Sequence, residues 1–176
     1  MNDGKTILVV DDSRVAREAL RIVLQGAGYE VIFAEDGISA IERAATEKPD
    51  LVITDGPLPR MHGFLACKAI KELDATQKVL VLTGSNTKPT YKQQLKLEYQ
   101  ADEVLSKPFD AADLLTCVGR LLGSFAPGAA SEYIPVEAIS DTHTRAANHS
   151  PESSLQFEPL TDADLDDLLG TIVTAA

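Results

Sequence analysis

Four short patches, far apart in the chain, each close an apolar run and each carry one kind of reactive group. Asp11 and Asp12 follow Ile7-Leu8-Val9-Val10, and Asp55 follows Leu51-Val52-Ile53-Thr54. Thr83 follows Val79-Leu80-Val81-Leu82, and Lys107, next to Pro108, follows Val104-Leu105-Ser106. Brought to one place, three carboxylates, a hydroxyl and an ammonium make a site for a divalent cation and a phosphoryl group. Three neighbouring carboxylates repel and raise one another's pKa. A hard cation relieves that repulsion, and Mg²⁺ takes one or two carboxylates together with waters and a phosphate oxygen. A carboxylate held this way can attack a phosphoryl donor to give an aspartyl phosphate. The transition state then needs positive charge and hydrogen-bond donors, which Lys107, Thr83 and nearby backbone N–H groups supply.

Taken singly, each patch has an ordinary structural reading. An Asp-Asp pair ahead of a helix is a cap and its neighbour, and an Asp before Gly-Pro is a turn residue. The functional reading rests on all four falling at strand ends of a regular repeat. Residues 5–123 alternate strand and helix signals five times. The runs at 6–10, 51–54 and 79–82 lack period-2 alternation, as strands buried on both faces do, whereas 30–34 and 102–105 are mixed and read as edge strands. The first helix places Val15, Ala19, Ile22 and Val23 on one stripe, with Ser13 as N-cap and Gly26 and Gly28 as stops. The second runs from Ile38 to Glu47. The third starts after Gly63 with Phe64, Cys67 and Ile70 inward. The fourth, Thr87 to Tyr99, is polar. The fifth, Asp110 to Leu122, carries Leu114, Val118, Leu121 and Leu122. Such alternation predicts an α/β doubly wound parallel sheet, whose strand ends share one crevice where such folds place their chemistry.

The chain has 176 residues and a net charge of −11, unevenly spread. Residues 1–123 hold 15 Lys/Arg against 18 Asp/Glu, and residues 124–176 hold 1 against 9. No basic footprint for nucleic acid or anionic lipid exists, and no apolar run reaches the roughly 20 residues that span a bilayer. With no signal peptide evident, a cytoplasmic protein is expected. Cys67 and Cys117 read as reduced thiols within helices. His62, His143 and His149 lack ligand-like spacing.

Composition changes at Gly123. Residues 124–159, rich in Pro, Ser and Ala, read as a disordered linker. Residues 160–176 form an acidic amphipathic segment with Leu165, Leu168, Leu169, Ile172 and Val173 at helical spacing and Thr161 as cap. Gly170 and the run Thr171 to Thr174 oppose helix, so the segment is expected to fold only against something, and a docking contact on the Lys-rich fourth helix, in cis or in trans, is one expectation.

The motifs Ile7-Leu8-Val9-Val10-Asp11-Asp12-Ser13, Asp55-Gly-Pro-Leu-Pro-Arg-Met-His-Gly63, Val81-Leu82-Thr83-Gly84 and Ala101-Asp102-Glu103-Val104-Leu105-Ser106-Lys107-Pro108-Phe109 resemble those of the CheY-like response-regulator receiver domain of two-component signalling. The resemblance covers residues 4–123. It implies a five-stranded sheet of order 2-1-3-4-5 and a cis Lys107–Pro108 bond. It implies Asp55 as phosphoacceptor, and Mg²⁺ bound by Asp12, Asp55 and the carbonyl of Pro57, with Asp11 acting mostly through water. Thr83 and Lys107 would meet the phosphoryl group, beside Gly56 and Gly84. A sensor histidine kinase or phosphotransfer protein would be the donor, the chain would catalyse its own phosphorylation and dephosphorylation, and output would pass by protein contact from the fourth helix, fifth strand and fifth helix. The tail segment Asp164-Leu-Asp-Asp-Leu-Leu-Gly resembles the acidic segment with which the chemotaxis phosphatase grips a receiver.

Three positions depart from the pattern. Val104 stands where the family has Tyr or Phe, Gly84 where it has Ala, and Gln100 where it has Gly. Pro57 and Ser85 occupy positions that tune phosphate lifetime. Two other readings are a pseudo-receiver, acting as a constitutive interaction module without phosphorylation, and a phosphohydrolase with Asp55 as nucleophile. The second is disfavoured because Pro57 stands where such enzymes place a second Asp.

Overall fold

A computed structural model describes residues 4–84 and 89–123, with Tyr91 in its backbone only. Its elements are β1 (Thr6–Val10), α1 (Arg14–Gly26), β2 (Glu30–Ala34), α2 (Gly37–Glu47), β3 (Leu51–Asp55), α3 (Gly63–Leu73), β4 (Lys78–Thr83), α4 (Pro89–Tyr99), β5 (Glu103–Ser106) and α5 (Ala111–Leu122). All pairings are parallel, and the sheet order is β2-β1-β3-β4-β5. The expected topology is therefore present, with β2 and β5 at the edges. Ser85, Thr87, Lys88, the 124–159 linker and the 160–176 segment lie outside the described residues.

β1, β3 and β4 are apolar on both faces because helices cover both faces. One layer packs Leu8, Val10, Val52, Val79 and Val81 against α2 and α3, with Phe64, Cys67 and Ile70 among the buried residues. The other packs Ile7, Val9, Ile53, Leu80 and Leu82 against α1 and α5. Every second strand residue thus faces each layer, as the pleat requires.

Most helix ends follow from local chemistry. Ser13 accepts from the Ala16 N–H, as expected, and Asp36 accepts from both Ile38 and Ser39. Asp110 and Asp113 form a reciprocal capping box, so α5 begins one residue later than expected. Gly123 ends α5 in the left-handed region. The stripe expected on α1 is corrected. Ala16, Ala19, Leu20 and Leu24 are its buried residues, whereas Val15 and Ile22 are 60% and 57% exposed. The inward stripe is built partly on alanines, which are buried there beside Leu20 and Leu24. Asp55 and Thr83 close their strands as the last paired residues rather than following them. Among the described residues, no helix is long and apolar enough to cross a membrane.

Candidate functional site

The carboxyl ends of β1, β3, β4 and β5 bring Asp11, Asp55, Thr83 and Lys107 together. Asp11 and Asp55 are 1% and 2% exposed and Thr83 is buried, while Asp12 faces solvent. The Lys107 Nζ lies 3.0 Å from Asp55 Oδ1 and 3.9 Å from Asp11 Oδ2. Its backbone N–H donates to the Thr83 carbonyl at 2.8 Å, which ties the end of β5 to that of β4. The Lys107–Pro108 bond is cis.

Backbone donors hold each carboxylate. The Ser13 N–H donates to Asp11 Oδ1 at 2.8 Å, and the Gly56 N–H donates to Asp55 Oδ1 at 3.0 Å and to the Leu82 carbonyl at 2.8 Å. Gly56 therefore fixes the Asp55 side chain and joins β3 to β4 beyond the ladder. Arg17 reaches back from α1 to the carbonyls of Asp11 and Asp12, at 2.7 and 3.3 Å, and pairs with Glu35. Pro57 and Gly84 lie just past the ends of β3 and β4, both exposed.

Residues 56–62 form the loop that leaves the site. Gly63 N–H returns a hydrogen bond to the Gly56 carbonyl at 2.7 Å. A Cβ at Gly63 would lie 1.8 Å from the Asp55 carbonyl oxygen, and one at Gly37 would lie 2.5 Å from the Met61 carbonyl oxygen. Both glycines are required by close backbone approach. Arg60, at φ 65°, pairs with Asp36 at 3.1 Å and ties the loop to α2. His62 caps α3 by accepting the Phe64 N–H on Nδ1 at 3.4 Å. Burial holds its imidazole below the usual range, against the charge of Asp55, which suits a ring nitrogen that must keep a lone pair.

The electrostatics are those of a site short of positive charge. Burial and the neighbouring Asp55 push Asp11 up to about 6, against the Ser13 N–H and Lys107. Burial also raises Asp55, opposed by Lys107 and the Gly56 N–H. Asp11 Oδ2 is buried and has no hydrogen-bond partner among the described residues. Such an oxygen, facing a lysine too far away to bond it, is a position a cation would satisfy. Among the described residues no three His, Cys, Asp or Glu side chains form a ready-made metal cage. An all-oxygen donor set with few carboxylates fits Mg²⁺, which keeps several of its waters.

The sequence pattern thus located Asp11, Asp55, Thr83 and Lys107, which the fold brings together, with Asp12 at the rim. It missed Arg17 and His62. Arg17 carries no motif, and the role of His62 depends on the loop's path rather than on spacing.

Comparison with known proteins agrees with this geometry. The family model for the response regulator receiver domain matches residues 7–119. The alkaline phosphatase synthesis transcriptional regulatory protein PhoP of Bacillus subtilis is 36% identical over 119 residues, 68% of this chain and 49% of its own length. The chain spans about half the length of such curated relatives. Chemotaxis protein CheY4 of Vibrio cholerae superposes with a TM-score of 0.62 at 36% identity, over 67% of this chain and 98% of its own. TrrA of Thermotoga maritima, solved in complex with Mg²⁺-BeF, superposes with a TM-score of 0.60 at 35% identity, over 67% and 99%. Fold, site and relatives agree, and the chain belongs to the response regulator receiver domain family.

Proposed function

We propose that Asp55 accepts a phosphoryl group from a histidine kinase or phosphotransfer protein. The observation that supports this most is the buried pair of carboxylates sharing one lysine, with Asp11 Oδ2 left unbonded. An Asp55 carboxylate oxygen attacks phosphorus while the bond from phosphorus to one nitrogen of the donor's phosphoimidazolium, protonated on its other nitrogen, breaks, leaving an acyl phosphate on the chain and a neutral imidazole on the donor. Lys107, 3.0 Å from Asp55 Oδ1, meets the charge that develops on the phosphoryl oxygens. Thr83 offers its hydroxyl to the same group. In this reading Asp12, Asp55 and the Pro57 carbonyl would hold Mg²⁺, with Asp11 acting through water. Bound there, the ion supplies charge neutralisation for the incoming phosphoryl oxygens. Its fit rests on the unbonded oxygen and the oxygen-only donor set.

Phosphorylation then biases two arrangements of the surface around α4, β5 and α5, which a protein partner reads. Residues 124–176, with one basic residue against nine acidic, favour protein contact over nucleic acid. We assign 124–159 to a linker and 160–176 to a docking segment for a receiver surface in the same chain or another copy. A tether of that length keeps the segment at an effective concentration on the order of millimolar. Removing residues 160–176 is expected to change the phosphate lifetime or the oligomeric state; a truncated chain matching the full one in both would end that assignment.

The first test is the intact mass of the protein after incubation with Mg²⁺ and a small acyl phosphate. Wild type is expected to gain one phosphoryl group, lost with EDTA and absent in Asp55→Ala. No gain, with Mg²⁺ binding shown separately, would replace this reading by the constitutive, unphosphorylated module.

A further inference from the structure

An aromatic column leads out of the acceptor loop and ends on α4. The His62 ring lies against Gly56, its Cε1 3.6 Å from where a Cβ would stand. That ring stacks on Phe64 with centroids 5.5 Å apart and planes 14° from parallel. Phe64, itself 5% exposed, meets Tyr99 at 5.3 Å. Tyr99 is the last residue of α4, its carbonyl accepts from Cys67 Sγ at 3.3 Å, and the next residue, Gln100, turns the chain at φ 57°. Three rings therefore join the backbone amide that bonds Asp55 to the C-terminal turn of a helix whose outer face is exposed, Leu97 at 77%.

Resting on the reading of Asp55 as phosphoacceptor, we propose that the His62–Phe64–Tyr99 column couples the state of Asp55 to the position of α4. The Gly56 N–H bonds both Asp55 and the Leu82 carbonyl, so a phosphoryl group that draws on this amide must move the Gly56 peptide. His62 Cε1 and Phe64 Cε2 each lie 3.6 Å from where a Gly56 Cβ would stand. The loop's other side is fixed to α2 by the Arg60–Asp36 pair and by Met61 packed on Gly37. Displacement is thereby directed toward Phe64 rather than shared over the whole loop. Close-packed rings pass on small shifts because they cannot be compressed. Tyr99 receives the shift at the end of α4, where the helix leaves the left-handed Gln100. On β5 the facing core residue is Val104, 3% exposed, a short β-branched side chain with few rotamers to choose from. Among the described residues, the aromatic contact to the end of α4 is made from α3 by Phe64, and β5 offers Val104.

The test uses the full chain, with Mg²⁺ and beryllium fluoride as phosphoryl mimic and backbone amide chemical shifts of residues 92–98 as readout. Wild type is expected to show shifts throughout this stretch. Tyr99→Leu should reduce them at least twofold, and Tyr99→Phe, which keeps the ring, should restore them. Phe64→Leu should match Tyr99→Leu. Mass gain from the acyl phosphate is expected to be the same in wild type, Tyr99→Leu and Tyr99→Phe, since Tyr99 lies off the site; Phe64 Cε2 lies 3.6 Å from where a Gly56 Cβ would stand, so the α4 shifts of Phe64→Leu are read against its own mass gain. Undiminished α4 shifts in both Leu variants, with normal mass gain, would overturn the coupling alone. No mass gain in wild type would overturn the phosphoacceptor reading and the coupling with it.

Discussion

Two clusters of buried charge sit at opposite ends of the same sheet, and they are built in opposite proportions. At the carboxyl ends, two buried carboxylates share Lys107 and are both pushed up in pKa. At the amino ends, one carboxylate, Asp102, is shared by two lysines, Lys71 at 2.6 Å and Lys78 at 3.3 Å. The Val79 N–H also donates to it at 2.8 Å. Burial pushes Asp102 upward as it does the others, yet the bonds from Lys71 and Val79 and the charges of Lys71 and Lys78 outweigh it, and its carboxyl titrates below the ordinary range. The difference separates a completed ion cluster from an unfinished one. The first is structural, pinning the start of β4 to the start of β5. The second leaves two raised carboxylates with one lysine between them.

Four measurements break or sharpen this contrast. The largest effect is expected at the completed cluster. Asp102→Asn leaves Lys71, 6% exposed, without its counter-charge, and should lower unfolding free energy by about 3 kcal/mol in urea titrations. A loss below about 1 kcal/mol would mean that the two clusters are energetically alike. Next comes the pH dependence without metal. Asp11 has a folded pKa raised to about 6, so the folded state holds its proton longer, and stability should fall as pH rises from about 4 to 6, by about 2 kcal/mol. Asp102, depressed, acts in the other direction: its contribution is full above the ordinary carboxylate pKa and is lost as pH falls through the folded value. Asp11→Asn should reduce the first limb to the part that Asp55, also raised, contributes, and Asp102→Asn should act on the second only.

Adding Mg²⁺ at ten times its dissociation constant should stabilise wild type by about 1.4 kcal/mol. The gain should be larger at pH 8 than at pH 5 and lost in Asp55→Asn, as read by thermal unfolding. Smallest is Asp11→Asn itself, which keeps the acceptor for the Ser13 N–H and removes a buried charge. It is expected to stabilise the metal-free protein at pH 8 by about 1 kcal/mol. A destabilisation there would show that Lys107 alone already satisfies the site.

The acceptor cluster was legible in the sequence and the structural one was not, for a physical reason. Asp11, Asp55, Thr83 and Lys107 each close a continuous apolar run, and parallel topology sends all such ends to one side. Lys71 on α3 and Asp102 just before β5 meet far from each other in sequence, and each looks locally like any surface charge. The α1 stripe misled because Val15 and Ile22 carry more hydrophobic signal than Ala16, which is buried in their place. His62 was read only as a residue without ligand spacing, since neither its ring stacking nor its cap shows in a linear pattern. The strand order followed from the family resemblance, and the observed registers agree with it.

The backbone approach at Gly63 has a further consequence for how variation would be tolerated. In a library holding every single substitution, Gly63 would be as depleted as Asp55, although no atom of it meets a ligand: any side chain there collides with the acceptor's own carbonyl at 1.8 Å. Gly37, facing Met61 from α2, would be nearly as empty. Gly84, at the end of β4 yet with no described atom within 4 Å of an added Cβ, would accept more residues than either. Ranking positions by intolerance would therefore outline the loop's anchors as sharply as the reacting groups.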